Sequence, residues 1–325
     1  MNCYSRIIGT GSYFPSKVLT NKDIEKFVDT SDEWIVTRTG IKERRISEDE
    51  STSEMAYRAS LSAIETAGIS KNEIDGIVVA TCTPDSLVPS TACHLQGKLG
   101  IKGPFAFDIN AACSGFIYAL AIGDSLIKNN LARNILIVGA ERLSSILNWK
   151  DRSTCVLLGD GAGAVILSKS DRPGIRSILL HANGEHTDLL ICKAGGSSFL
   201  AKYKELNIED HLFSMKGNEV FKIAVRAMKD AAVTAVEKSG LSFNDIDYFI
   251  PHQANLRIID AAAKRLKLSD DKVIITLDKF GNTSAASIPT ALDIAVKSGK
   301  IKKGNNVVSA AFGGGLTWGS TVFTF

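Results

Sequence analysis

One half of this chain repeats the other. With residue 63 laid on residue 235, the segment Ala63-Ile64-Glu65-Thr66-Ala67-Gly68-Ile69-Ser70-Lys71-Asn72-Glu73-Ile74-Asp75 matches residues 235–247 with seven identities. The same offset of 172 places Asn110 on Asn282, Ala119 on Ala291 and residues 134–138 on 306–310 without a gap. A register held this far is an internal duplication, and it restricts the fold to two similar units. Each unit reads as an amphipathic helix ending at Gly68 or Gly240, an apolar strand (77–80; 248–250), a loop, a helix and a second strand (135–138; 307–310). A further strand closes each unit, at 164–167 and 320–323. Continuous Val/Ile runs separated by helices predict parallel α/β layers. The expected division is 1–170 and 171–325. Extra residues around 144–158 and a less periodic stretch, 183–214, are where binding surfaces are expected.

Composition narrows the function classes. With 45% hydrophobic and 22% charged residues in 325, the chain can bury a large core and is not a disordered or fibrous protein. A balance of 38 basic against 35 acidic residues, net +3, is too even for bulk charge to imply nucleic-acid binding. No apolar run approaches membrane-spanning length, and the first residues lack a signal-peptide core. The six cysteines form no C-x-x-C pair and are expected as free thiols in a cytoplasmic protein without a membrane partner.

Three residues stand out chemically. Cys113 lies in Asp108-Ile109-Asn110-Ala111-Ala112-Cys113-Ser114-Gly115-Phe116, after a strand-like 105–107 and at the start of an apolar helical run, 114–127. Unpaired amides and the positive dipole end at a helix N-terminus favour thiolate over thiol, which suits a nucleophile; the alternative is a small buried hydrophobe. His252, in Ile250-Pro251-His252-Gln253-Ala254-Asn255, emerges from a buried strand end, where both ring nitrogens need partners for either a catalytic or a structural role. Asn282, in Phe280-Gly281-Asn282-Thr283-Ser284-Ala285-Ala286-Ser287, belongs to the counterpart of the Cys113 turn, with Ala285 in the cysteine's place. An amide there can stabilise an oxyanion but cannot act as a base; it also suits a turn or helix cap.

Two glycine clusters differ in meaning. Gly159-Asp160-Gly161-Ala162-Gly163 precedes a strand rather than a helix and lacks the Lys-Ser/Thr of a phosphate loop, which excludes a dinucleotide site. Gly313-Gly314-Gly315 follows a buried strand and either supplies an amide to an intermediate or makes a tight turn. Basic residues gather near the candidates: Arg38 beside Trp34, Arg152, Lys222, and Arg257 with Lys264 on one helix. An indole among arginines suits an adenine and its phosphates; a solvated face is the other reading.

Taken in order, Ala-Ala-Cys-Ser-Gly-Phe, Pro-His-Gln-Ala-Asn and Gly-Asn-Thr-Ser-Ala resemble the thiolase superfamily, and most closely the β-ketoacyl-acyl-carrier-protein synthase III family of initiating condensing enzymes. Asp32-Glu33-Trp34-Ile35-Val36-Thr37-Arg38-Thr39-Gly40-Ile41 and Gly313-Gly314-Gly315-Leu316-Thr317-Trp318-Gly319 extend the resemblance nearly end to end. It implies a thiolase-like five-layered αβαβα fold built from two duplicated halves, a homodimer, and no metal or other cofactor. The implied reaction is decarboxylative condensation of acetyl-coenzyme A with malonyl-acyl-carrier protein, initiating type II fatty acid synthesis. It further implies that Cys113 carries the acetyl group, that His252 and Asn282 hold the enolate oxygen, and that the amides of Cys113 and Gly314 hold the tetrahedral oxyanion. Thr30, Trp34, Arg38, Arg152 and Asn255 would contact coenzyme A, with Trp34 and Arg152 sandwiching adenine. Lys222, Arg257 and Lys264 would receive the acidic carrier protein. Val88 sits where members often place a larger residue that reaches across the dimer to limit the acyl pocket. Alternatives are another coenzyme A-dependent condensing or acyl-transfer enzyme, or a silent scaffold, which retention of all three catalytic residues disfavours.

Overall fold

The computed structural model describes residues 3–202 and 207–325. A five-stranded sheet is built from β1 (Tyr4–Tyr13), β2 (Gly76–Ala80), β3 (Phe105–Ile109), β4 (Asn134–Glu141) and β5 (Gly161–Ser170), in the order β1-β5-β4-β2-β3. A four-stranded sheet follows, made of β6 (Ile175–Ala182), β7 (Tyr248–Pro251), β8 (Asn306–Gly313) and β9 (Thr317–Thr324), in the order β6-β9-β8-β7. The second order reproduces β1-β5-β4-β2 of the first. The helices that matter to the site are α1 (Asp32–Thr39), α2 (Thr52–Ala67), α3 (Thr91–Leu99), α4 (Gly115–Lys128), α5 (Gly217–Lys238), α6 (Leu256–Leu266) and α7 (Ser287–Lys297).

The duplication extends to individual hydrogen bonds. Asp75 Oδ2 accepts from the Asn134 amide at 2.9 Å, and Asp247 Oδ2 accepts from the Asn306 amide at 2.8 Å. Ser70 with Glu73, and Ser242 with Asp245, form matching capping boxes.

Alternation along the strands generates the layers. In β2, Val78 and Ala80 face a cluster with Ile117 and Leu120 of α4, Ile288 and Leu292 of α7, and Ile250, Val307 and Ala311 of the second sheet. Ile77 and Val79 face the opposite side, against Met55, Ala59 and Ala63 of α2 and Leu95 and Leu99 of α3. On the far side of the second sheet, Val308, Ala310 and Val322 pack on Ala232 and Val236 of α5 and Ile259 and Ala262 of α6. The five layers are therefore α2/α3, sheet, α4/α7, sheet, α5/α6. Strands covered on both faces have no polar face, which is why they read as unbroken apolar runs.

The strand direction departs from expectation. β2 pairs in parallel with β3 and β4, and β7 with β8, but β5 lies antiparallel to both β1 and β4, and β9 antiparallel to β8 and β6. Only Gly314, Gly315 and Leu316 separate β8 from β9. A parallel return requires a crossover of a dozen or more residues, so this connection makes a hairpin. Of the less periodic stretch 183–214, positions 203–206 lie outside the described residues.

Candidate active site

Cys113 stands in a single 3-10 turn, Ala112–Ser114, that leads into α4. Thr317 Oγ1 donates to the Ala111 carbonyl at 2.8 Å, and Ser114 Oγ donates to the same carbonyl at 2.7 Å, so the start of β9 clamps the turn. Gly313 lies so close that a Cβ on it would come within 2.6 Å of the Cys113 amide nitrogen. Only glycine lets β8 pass there, and this brings the glycine turn beside the thiol.

The expected standing thiolate does not match the electrostatics of this position. Burial pushes the Cys113 thiol up to about 11; the Ser284 hydroxyl pulls it down and the Glu141 carboxylate adds to the rise. Desolvation outweighs the helix terminus, and the resting group is the thiol.

His252 continues β7, its amide donating to the Ala310 carbonyl at 2.8 Å. It is 1% exposed, and burial pushes its imidazole down to about 3, so the ring is neutral throughout the physiological range. Nδ1 lies 2.7 Å from Ser287 Oγ at the start of α7. The next residue, Gln253, is also buried, and its amide group bonds the Pro251 and Ile274 carbonyls and the Thr276 amide, which fixes the strand end.

Asn282 is held through its backbone by the insertion of the other half. Its amide donates to the Leu157 carbonyl at 2.8 Å, and its carbonyl accepts from the Gly159 amide at 3.0 Å. Its side-chain Oδ1 accepts from the Ser284 amide at 2.8 Å, which leaves the Nδ2 donors for the cavity.

Cys113, His252 and Asn282 all line one recess, with Phe221, Asn255 and Ile258 of the α5/α6 side. Beyond Cys113 and Asn282 it widens into a cavity of about 630 Å³ walled by Leu87, Leu143, Ile146, Phe213 and Gly314. That size is ordinary for a small-molecule site. Among the described residues no group of three or more His, Cys, Asp and Glu side chains is arranged to hold a metal ion.

The outer candidates fall into two places. The Arg152 guanidinium lies 4.7 Å from the Trp34 ring centroid and that of Arg38 6.0 Å, while Arg152 also donates to the Asp29 carbonyl. Two stacking contacts of about 3.5–4 Å each need roughly one and a half times the Arg152 spacing, so as they stand Trp34 and Arg152 leave no room for a flat ring between them. Thr30 Oγ1, nearby in sequence, is buried without a hydrogen-bond partner. Asn255 caps α6 and donates to the Arg38 carbonyl at 3.1 Å, joining this region to the His252 loop. Lys222 on α5 and Arg257 and Lys264 on α6 are exposed, and Arg257 lies 5.1 Å from the centroid of the cavity-lining Phe221. Val88 is 85% exposed and does not line its own chain's cavity; Leu87 does.

Sequence reasoning passed over Glu141, Ser284, Ser287 and Gln253. Glu141 had a legible signal, a lone acid ending an apolar strand. It is fully buried and accepts from Thr81 Oγ1 at 3.2 Å, Thr83 Oγ1 at 2.6 Å and the Cys82 amide at 3.1 Å.

Comparison with known proteins bears on this geometry. Residues 107–184 match the family model described as 3-oxoacyl-[acyl-carrier-protein] synthase III, and residues 236–325 match that of its C-terminal part. The β-ketoacyl-[acyl-carrier-protein] synthase III of Xanthomonas campestris pv. campestris is 53% identical over 323 residues, 99% of this chain and 98% of that one. The crystal structure of 3-oxoacyl-[acyl-carrier-protein] synthase III from Aquifex aeolicus superposes with a TM-score of 0.92 at 48% identity, covering 99% of this chain and 100% of the other. The priming β-ketosynthase of the R1128 polyketide pathway superposes with a TM-score of 0.94 at 36% identity, covering 99% and 96%.

Proposed function

The chain belongs to the 3-oxoacyl-[acyl-carrier-protein] synthase III family, and from that membership we propose how its own residues carry out the condensation. It is a thiolase-fold acyltransferase of the initiating step of fatty acid synthesis. The observation that carries the residue assignment is the convergence of Cys113 from one half with His252 and Asn282 from the other on one recess. In this reading residues 1–170 supply the nucleophile and residues 171–325 the two enolate donors.

Cys113 Sγ attacks the carbonyl carbon of acetyl-coenzyme A; the new S–C bond forms, the old thioester bond breaks, and coenzyme A leaves as the thiol. Malonyl-acyl-carrier protein then loses carbon dioxide, and its carbanion attacks the acetyl group, releasing the Cys113 sulfur and acetoacetyl-acyl-carrier protein. One difficult step becomes two easier ones. A neutral His252 suits the enolate step, because it can donate a hydrogen bond without having to lose a charge. In this reading Ser287 Oγ, which accepts from the Gln253 amide at 3.4 Å, gives its own hydrogen to Nδ1, and the ring proton is carried on Nε2. The amides of Cys113 and Gly314 receive the tetrahedral oxyanion.

Thr30, Trp34, Arg38, Arg152 and Asn255 take coenzyme A, and Lys222, Arg257 and Lys264 take the carrier protein. No cofactor beyond these substrates enters the scheme, and the same reading places the enzyme in the cytoplasm. A homodimer is supported by the 81% and 85% exposed Leu87 and Val88 and by β3, a sheet-edge strand whose residues are all half-buried. Val88 would then reach a partner's cavity. Priming of polyketide synthesis is the second reading, favoured by the likeness to the R1128 enzyme.

Incubation with radiolabelled acetyl-coenzyme A and malonyl-acyl-carrier protein tests the whole reading: labelled acetoacetyl-acyl-carrier protein is expected, and its absence with fatty-synthesis carrier protein while a polyketide carrier is primed would favour the second reading. In the same assay Arg257→Glu is expected to slow use of malonyl-acyl-carrier protein about tenfold at low salt and to leave acetyl transfer much less affected, because reversing a rim charge acts on association. The deficit should shrink as screening shortens to about 8 Å near physiological ionic strength. Equal damage to both half-reactions at every salt concentration would return Arg257 to its packing on Phe221.

A further inference from the structure

Ser284 is unexplained by the scheme above. It has φ +48, the left-handed region that side chains other than glycine rarely adopt. The residue is 3% exposed, and its Oγ is wholly buried with no hydrogen-bond partner, although a buried hydroxyl ordinarily finds one. It lines the same cavity wall as Cys113.

The duplication supplies an internal comparison. Residue 112 is the equivalent of residue 284, with φ +45 and its amide donating to Asn110 Oδ1 at 3.2 Å, as the Ser284 amide donates to Asn282 Oδ1 at 2.8 Å. Residue 112 is alanine. The turn therefore forms without a hydroxyl, and the Ser284 hydroxyl is not there for the turn.

We propose that the Ser284 hydroxyl is a positioning residue that donates to the Cys113 thiolate as it forms, with the Glu141 carboxylate as its alternative acceptor when the sulfur is protonated or acylated. A hydroxyl has one hydrogen and can serve one of these acceptors at a time. Its hydrogen bond pulls against burial, which raises the Cys113 thiol and the Glu141 carboxyl alike, and it does the same at the neighbouring Cys82. Among the described residues, Glu141 at the end of β4, Cys82 after β2, His252 after β7 and Cys192 on the cavity wall are the other titratable groups around the sulfur. His252 is neutral, and burial holds the Cys82 thiol well above its ordinary range, so burial itself is the main opposition to a thiolate, the Glu141 carboxylate adds to it, and Ser284 is the group placed to offset them. The sulfur's proton goes to solvent or to the departing coenzyme A thiolate; Ser284 keeps its own O–H bond.

The proposal rests on Cys113 being the nucleophile. The test is the pH dependence of Cys113 alkylation by iodoacetamide in the full-length protein, for wild type, Ser284→Ala and Ser284→Gly. Glycine relieves the positive φ, so it removes the hydroxyl without risking the turn. Both variants are expected to move the alkylation profile up by roughly one pH unit, slowing reaction roughly tenfold at a fixed pH below the midpoint. A profile in either folded variant that overlays wild type overturns the role of Ser284. Failure of wild-type Cys113 to accept acetyl from acetyl-coenzyme A would instead overturn the nucleophile assignment, whatever the variants do.

Discussion

Incubated with acetyl-coenzyme A alone, the protein is expected to gain the mass of one acetyl group, and Cys113→Ser is expected to gain none. The sulfur stands at the meeting point of the 3-10 turn, the glycine hairpin and the Asn282 loop, with Gly313 pressed against its amide. Cys82 and Cys192 wall the same cavity, but neither lines the recess that Cys113 shares with His252, and Cys82 lies against the Glu141 carboxylate, 3.3 Å from Oε1, so neither should compete. Serine keeps the shape but is a far poorer nucleophile without an adjacent base, and removal of a covalent nucleophile commonly costs about a thousandfold or more. Intact-protein mass spectrometry followed by peptide mapping reads the result. Acetyl found on Cys82 or Cys192 would transfer the central role away from Cys113.

The second large effect is expected in the other half-reaction. His252→Ala and Asn282→Ala should each slow carbon dioxide release from malonyl-acyl-carrier protein by about a hundredfold to a thousandfold while leaving acetylation of Cys113 far less affected. The negative charge on the thioester oxygen develops only as the carboxylate leaves, so donors aimed at it lower that barrier and no other; losing one such donor costs about 3 kcal/mol. The double variant should lose less than the product of the two, since both act on one oxygen. Because burial pushes His252 down to about 3, the wild-type decarboxylation rate should show no inflection near the ordinary histidine value of about 6.5. A step there would mean that the imidazolium takes part.

Local pattern was enough for much of this molecule. The offset of 172 determined two units, because equal spacing of helix ends, capping boxes and Asp/Asn pairs can be read without knowing what they touch. The Val/Ile runs determined strands buried on both faces, and Cys113, His252 and Asn282 could be chosen because each sits in an odd chemical setting within its own few residues. Tertiary structure decided what depends on distance between segments. The antiparallel placement of β9 follows from its three-residue connection to β8, and the direction of neither β9 nor β5 is written in the composition of the strand. The thiol at rest follows from desolvation and from Glu141, 28 positions away along the chain yet close enough to raise it. Arg152 rests on Trp34, and the insertion at 157–159 holds the Asn282 backbone, because those contacts join residues far apart in sequence. Ser284 shows the division within one residue. Its place opposite Ala112 is written in the repeat, but that its hydroxyl lies buried and unpartnered at the wall of the cavity that Cys113 lines is a consequence of packing two halves together, since only packing removes the water that would otherwise satisfy it.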